Sequence, residues 1–453
     1  MFIKKMLADK RFWKSVLMLA LPIALQNLLT SSFSLIDILM IGSLSDNAIS
    51  AVGMAAQITF LHNVFLFGIC SGGSIFVAQY WGAGNISGIK KTYGVILANC
   101  FTVSLVFFTL AFFMPELCMR VFTDNDAVTE IGVKYLRYVA FSYFGVSLTM
   151  GFSSVLRATE QVKIPLYSNI FSVATNILFN YLLIFGKFGF PQMGVTGAAL
   201  ATVIASVVNP TMVFLFSAAK RTIIFSSIKE LFSFTVSGLR EFYSIVLPVF
   251  FNEMLWAVGM TAYNSIYGHM SHSHFAALTI SKTVENLVFV FFIGLCNACA
   301  VLVGKYIGLK RFEDAKEYAK RFLCLVPVTG LLLGAAVIGL RGSILSLFNI
   351  EDNVRQVASL LLLVFGLAIS VKNIPFIAIV GIFRAGGDPK KGMLFDLLCL
   401  WGIGLPITFV CGILLKMDFV LVYILMILSE DVTKTILCIK YFLTMKWIRP
   451  VKQ

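Results

Sequence analysis

Between Leu19 and Gly42 the chain is apolar enough to cross a bilayer and carries one charge, the carboxylate of Asp37. A hydrocarbon core of about 30 Å takes ~20 helical residues, and the apolar character already begins at Phe12. Read at helical spacing, Gln26, Thr30, Ser34 and Asp37 follow one another at steps of 4, 4 and 3 and share one stripe, while Leu, Ile and Phe cover the other faces. Such a stripe must face protein or water. A carboxylate at membrane depth costs ~2.5–3.5 kcal/mol on insertion scales, and it persists chiefly where it handles ions, protons or substrate.

The rest of the chain has the same character. With 59% hydrophobic and 13% charged residues over 453 positions, it falls far from soluble domains, in which charged residues run at ~25%. The alternation of outer-membrane strands is absent, so the expected fold is an all-α integral membrane protein. The formal charge of +14 would suggest nucleic acid in a soluble protein. Here its placement gives it a different meaning. Lysines and arginines gather at the N-terminus (Lys4, Lys5, Lys10, Arg11, Lys14), near Lys90–Lys91, Arg157 and Lys163, through 220–240, 305–321 and 384–391, and in the tail from Lys440; the intervening loops hold Arg120, Lys187, Arg341 and Lys416 singly. That is the positive-inside pattern, which puts both termini in the cytoplasm and requires an even number of spans. Lys4 and Lys5 precede a long span, not a short cleavable leader, so the first helix is expected to direct insertion. The nine cysteines lie mostly in apolar runs and are expected to stay free, and the Cys296-x-x-Cys299 pair has no second pair or nearby His to make a metal site.

Taken in order, the apolar runs predict twelve spans at roughly 13–42, 49–80, 89–114, 132–156, 165–186, 194–218, 241–268, 275–307, 316–340, 354–383, 392–415 and 419–443. The hydrophilic stretch 221–240 reads as a cytoplasmic linker between an N-lobe (1–220) and a C-lobe (241–453). Internal repetition supports that cut. Pro22 matches Pro248, Gly68 matches Gly294, Gly82 matches Gly308 and Phe122 matches Phe348 at an offset of 226, and Arg157 matches Arg384 at 227. Two six-helix halves in the same orientation, related by a pseudo-two-fold axis along the membrane normal, are expected, the plan of a parallel-repeat transporter.

These residues then look familiar. LALPIALQ with an Asp fifteen residues after its Pro, GSIFVAQYWGAGN, NILFNYLLIFGKFGF, GVTGAALATVIA and LVGKYIG resemble the multidrug and toxic compound extrusion (MATE) transporters over nearly the whole chain. The resemblance implies a secondary antiporter that expels amphipathic, often cationic drugs or metabolites in exchange for H+ or Na+, with no cofactor beyond the coupling ion. The family's span-one Asp falls on Asp37. Its N-lobe cluster, Asn-x-x-x-Asp on span five with a Thr on span six, falls on Asn176, Asn180 and Thr202, and Asn180 stands where the carboxylate often is. A span-seven Glu used in some members falls on Glu253, while the accompanying span-ten Asp has no match, Lys372 and Asn373 standing there instead.

The residues themselves suggest roles. A lone intramembrane carboxylate can hold a proton or a cation but not both, which suits Asp37 to coupling, and Pro22 makes a bend in span one cheap. Glu253 is followed by Trp256, Met260, Tyr263 and Tyr267 at steps of 3, 4, 3 and 4. Aromatic faces attract cations and Met adapts its shape, so Trp256, Met260 and Tyr263, with Gln26, Thr30 and Ser34, are candidate substrate contacts. Lys282 and Glu285 are expected to neutralise each other one turn apart, Lys372 to find Asp396 or Glu253, and Glu430, Asp431 and Lys434 to form a local set. The histidines of HMSHSH (269–274) are expected in a solvated external loop, and His62 as a hydrogen-bonded interior side chain. A flippase for lipid-linked precursors is the alternative reading, although an acidic headgroup calls for more buried cations than Lys282, Lys372 and Lys434 beside at least four acids. A membrane enzyme would need a catalytic or metal cluster, and an ATP-driven pump would need a P-loop; the sequence has neither. A monomer in a bacterial-type plasma (inner) membrane, in contact with lipid and without nucleic acid, is expected.

Overall fold

The computed structural model describes residues 6, 9–231, 233, 235–348 and 350–452, with side chains for all of these except 33–35, 39, 46, 228, 272 and 273. The described chain is helical, without strands. Span 1 is Lys10–Gly42, span 2 Asp46–Ala83, span 3 Ile86–Phe113, span 5 Lys163–Phe185, span 6 Val195–Ala219, span 7 Val236–Met270, span 8 His272–Gly308 and span 9 Phe312–Leu345. Span 10 starts as Asp352–Phe376 and continues through a π-helical turn, Ile377–Phe383. Span 11 begins at Pro389 and runs through two more π-helical turns to Leu414.

The remaining two spans depart from simple apolar rods. Span 4 is the pair Asp126–Val139 and Ser142–Ala158, bent by 50°. Span 12 is continuous from Phe419 to Leu443 through the π-helical turn Ile427–Val432, and Glu430, Asp431 and Lys434 interrupt its apolar character. Among the described residues, ten helices are long and apolar enough to cross a membrane, and the bent pair makes an eleventh.

Short polar side chains start several of these helices by taking up orphaned amides. The Asn85 side chain accepts from the Gly88 amide at 2.8 Å, Asn125 from Ala127 and Val128, and Asp418 from Val420 and Leu421. At span 1 the Asp9 carboxylate accepts from the amides of Arg11 and Phe12 and binds the Arg321 guanidinium at 2.6 Å. These bonds hold Asp9 below the usual carboxylate range, the Arg321 bond most strongly and the Phe12 amide next.

The chain forms two compact units, and three of the four boundaries between them fall inside helices. One comprises 1–24, 78–83 and 247–453, and the other 25–77 and 84–246. In the second, the short helix Ile228–Leu231 of the linker is fastened by Glu230 to Lys90 at 2.8 Å, and it sits so close to span 3 that any side chain on Gly94 would meet the Leu231 carbonyl. That unit packs Ala51, Ala55, Phe107, Met119, Leu136, Tyr143 and Ala199 into its core. In the first, a methyl group on Gly82 would run into the Lys305 carbonyl, and one on Gly308 into the Gln79 carbonyl. These reciprocal contacts obey the 226-residue offset, since Gln79 and Lys305 are repeat mates as Gly82 and Gly308 are.

Candidate functional site

Four predicted residues come together on the N-terminal side. The Asn180 amide donates both to Asp37 and to Asn176 Oδ1, the latter at 2.6 Å. The Asn176 amide in turn reaches Thr202 Oγ1 at 3.5 Å, and that hydroxyl donates to the Ala198 carbonyl at 3.0 Å. Asn176 and Asn180 are one turn apart on span 5, so a single helical face presents both amides to span 1 and span 6. Asn180 is fully buried, and its Oδ1 has no hydrogen-bond partner. The result is a carboxylate, two amides and a hydroxyl in series, a set of hard oxygens with one formal charge.

Lower on the same stripe of span 1 is a second polar group. Thr30 Oγ1 donates to the Gln26 carbonyl at 2.9 Å, and the Asn169 amide reaches both that carbonyl and Thr30 Oγ1, at 3.3 and 3.2 Å. Gln26 Oε1 accepts from Arg157 Nη2 at 3.2 Å. The Ser34 side chain lies outside the described residues. Sequence reasoning singled out neither Asn169 nor Arg157 as a partner of this stripe, because the sequence does not name the helix that each one faces.

On the C-terminal side the buried charges pair differently from the expectation. Glu253 binds Arg384 at 2.6 Å, with the two side chains 13% and 3% exposed. Lys282 donates to Asn264, not to Glu285 one turn away. Glu285 instead takes Lys372 at 3.0 Å and the Tyr423 hydroxyl at 2.7 Å. Lys372 therefore pairs with neither Asp396 nor Glu253. Those carboxylates already have cations of their own, and the rotation of spans 8 and 10 brings Glu285 to Lys372. Asp396 binds Lys434 at 2.7 Å and accepts from Asn252 at 3.2 Å. Of the set expected on span 12, Lys434 pairs with Glu430 at 2.9 Å, while among the described residues Asp431 forms no ion pair with it.

The aromatic ladder on span 7 is one face of graded exposure. Trp256 is 37% exposed, Met260 half-buried and Tyr263 4% exposed. The Tyr263 hydroxyl donates to Glu430 at 2.5 Å, and its ring stacks with Tyr267 at 6.4 Å. The inner end of the ladder is thus tied to span 12, and only its outer end, Trp256, is open. His62 is buried and bonded to Ser104 Oγ at 2.8 Å. The HMSHSH segment is helical except at Ser271, where spans 7 and 8 meet; His269 bonds to the Ser265 carbonyl at 2.8 Å, His274 packs on Phe419, and the His272 side chain is outside the described residues.

The chain is similar to known proteins along nearly its whole length. The family model MatE matches residues 22–182 and again 248–410, beginning each time at one of the repeat prolines, Pro22 and Pro248. An uncharacterized transporter, YisQ of Bacillus subtilis, is 26% identical over 98% of this chain and 96% of its own length. A probable multidrug resistance protein NorM of Thermotoga maritima is 25% identical over 96% of this chain and 93% of its own. Among solved structures, a MATE protein in a straight conformation matches at a TM-score of 0.85, and one in a bent conformation at 0.83; each is 16% identical, covers 96% of this chain and is 96% and 95% covered itself. At that identity the likeness is one of fold. With two stretches of the chain, 22–182 and 248–410, each matching the family model, the chain belongs to the MatE family of membrane transporters, the multidrug and toxic compound extrusion group its motifs resemble.

Proposed function

We propose that this protein is a secondary active antiporter that exports amphipathic, cationic drugs or metabolites, coupled to inward movement of H+ or Na+ through Asp37. The observation that carries this reading is the series Asp37–Asn180–Asn176–Thr202. A single carboxylate at membrane depth, backed by neutral amides, binds one positive charge at a time, whether proton, metal ion or organic cation. Occupation by the coupling ion then displaces the substrate. Without a second acid at position 180 the set favours a proton, since Na+ prefers more formal charge. Glu253, Glu285, Asp396 and Glu430 are poorer candidates for this task because each already holds a cation. Protonation removes the charge that the Asn180 amide binds, which frees span 1 to bend at Pro22, where a backbone hydrogen bond is missing. The basic loops support a plasma-membrane (inner-membrane) protein with both termini in the cytoplasm.

Efflux of ethidium from vesicles with imposed gradients tests this reading. Wild-type protein should export the dye under a pH gradient, and Asp37→Asn should not. Export by Asp37→Asn at the wild-type rate would remove Asp37 from the mechanism. Export driven by Na+ alone would keep the site and change the ion.

A further inference from the structure

Arg157 and Arg384 are repeat mates, yet they have different surroundings. Arg384 is neutralised by Glu253. Gln26 and Asn252 each stand four residues after their repeat proline, and the residue that follows is Asn27 in one half and Glu253 in the other. The N-terminal half therefore has the base without the acid. Arg157 uses one N–H, from Nη2 to Gln26 Oε1, and its Nε is buried without a partner. Among the described residues Arg157 forms no ion pair with a carboxylate. Arg157 sits in the last turn of Ser142–Ala158, where terminal carbonyls favour a cation, but that end effect offsets only part of the cost of burying a guanidinium. The side chain is half-buried, and the Gln26 that it meets is bonded through its own carbonyl to Thr30 and Asn169.

We infer that Arg157, with the Gln26 amide, forms a carboxylate-binding subsite that receives an anionic group of the transported molecule. A guanidinium presents a planar fork of donors that matches a carboxylate, and Gln26 can turn its amide to add a further N–H. Asp37 lies further along the same stripe of span 1. A molecule that places a carboxylate on Arg157 and an amine toward Asp37 engages both charges at once. The substrate class is then an amphipathic cation that also carries a carboxylate, a zwitterion within the class proposed above. The extension to substrate rests on the antiporter reading above; carboxylate binding at Arg157 does not.

The test is binding to the purified, detergent-solubilised full chain, by calorimetry, with 1-naphthoate and its neutral counterpart 1-naphthamide as probes. The wild type should bind the carboxylate at least tenfold more tightly than the amide. Gln26→Glu places a carboxylate where Gln26 Oε1 now meets Arg157 and should cost naphthoate at least tenfold while the protein stays as heat-stable as wild type. Arg157→Gln should lose the preference as well, and Arg157→Lys should retain part of it. Equal affinity for acid and amide, or undiminished naphthoate binding by Gln26→Glu, would overturn the proposal. Failure of ethidium efflux with naphthoate binding intact would instead count against the antiporter reading alone.

Discussion

Glu253 and Arg384 meet at 2.6 Å, while the arginine at the corresponding place in the other half, Arg157, meets the neutral Gln26 at 3.2 Å. The same scaffold thus holds a closed ion pair on one side and an open cation on the other. Because Arg384 is buried and Glu253 largely so, their energetics are set by what is left when one is removed. Deleting one partner of a buried pair costs about 3–5 kcal/mol, since the survivor is stranded in low dielectric. Glu253→Gln should therefore lower the thermal stability of the purified protein by several degrees, and pairing it with Arg384→Met should recover most of the loss. A single variant as stable as wild type would mean that Arg384 is already satisfied by other groups.

Asn180 offers a gain-of-function test. It donates to Asp37 and to Asn176 and keeps one oxygen idle. Asn180→Asp restores two formal charges among the same oxygens and should make transport respond to Na+, with efflux at fixed pH rising at least tenfold between low and high external Na+. No change in ion dependence would show that the two carboxylates do not share one ion.

Lys434 bridges Asp396 on span 11 and Glu430 on its own span, at 2.7 and 2.9 Å. Lys434→Met strands two carboxylates and should destabilise by about 3–5 kcal/mol. Neutralising both acids as well, with Asp396→Asn and Glu430→Gln, should return most of that stability in a thermal melt. If the triple variant melts no higher than the single one, the cluster stabilises by packing and not by charge balance.

Outside the membrane, the Asp9–Arg321 pair predicts a pH dependence. Asp9 is held below its ordinary value, so the bond adds its full stability above the unfolded carboxylate pKa of about 3.9 and loses it as the pH falls through the lower folded value. Asp9→Asn should melt below wild type at pH 7, and the gap should close below about pH 4. A gap that stays constant down to pH 3 would assign the effect to helix capping by the side chain and not to its charge.

How far the sequence could be read depends on whether a contact lies along one helix or across several. Asn176 and Asn180 are one turn apart, and motif resemblance tied them to Asp37 and Thr202; the geometry joins all four. Glu430 and Lys434 were legible for the same reason. Lys372 and Glu285 are 87 residues apart and on different helices, and their meeting depends on how each helix is rotated, which hydrophobic spacing does not reveal in helices that are apolar nearly all round. Lys282 shows the converse, where a cross-helix partner, Asn264, displaced a plausible local one. The bend in span 4 and the π-helical turns were likewise out of reach, since neither alters composition.

The π-helical turn Ile377–Phe383 accounts for an irregularity in the repeat. Span 4 opens at Asp126 and span 10 at Asp352, still 226 apart, yet the arginines that follow are 227 apart. The C-terminal half thus carries one residue more inside a helix, and a π-helical turn is the usual way a helix houses such an insertion without breaking. Threaded through a regular α-helix, the extra residue would swing everything after it by about 100°. Arg384 would then point away from Glu253. The two halves stay in step because the backbone takes up the additional residue as a local loosening of its coil, and the ion pair 2.6 Å wide at the end of that helix is the tally of how well it does so.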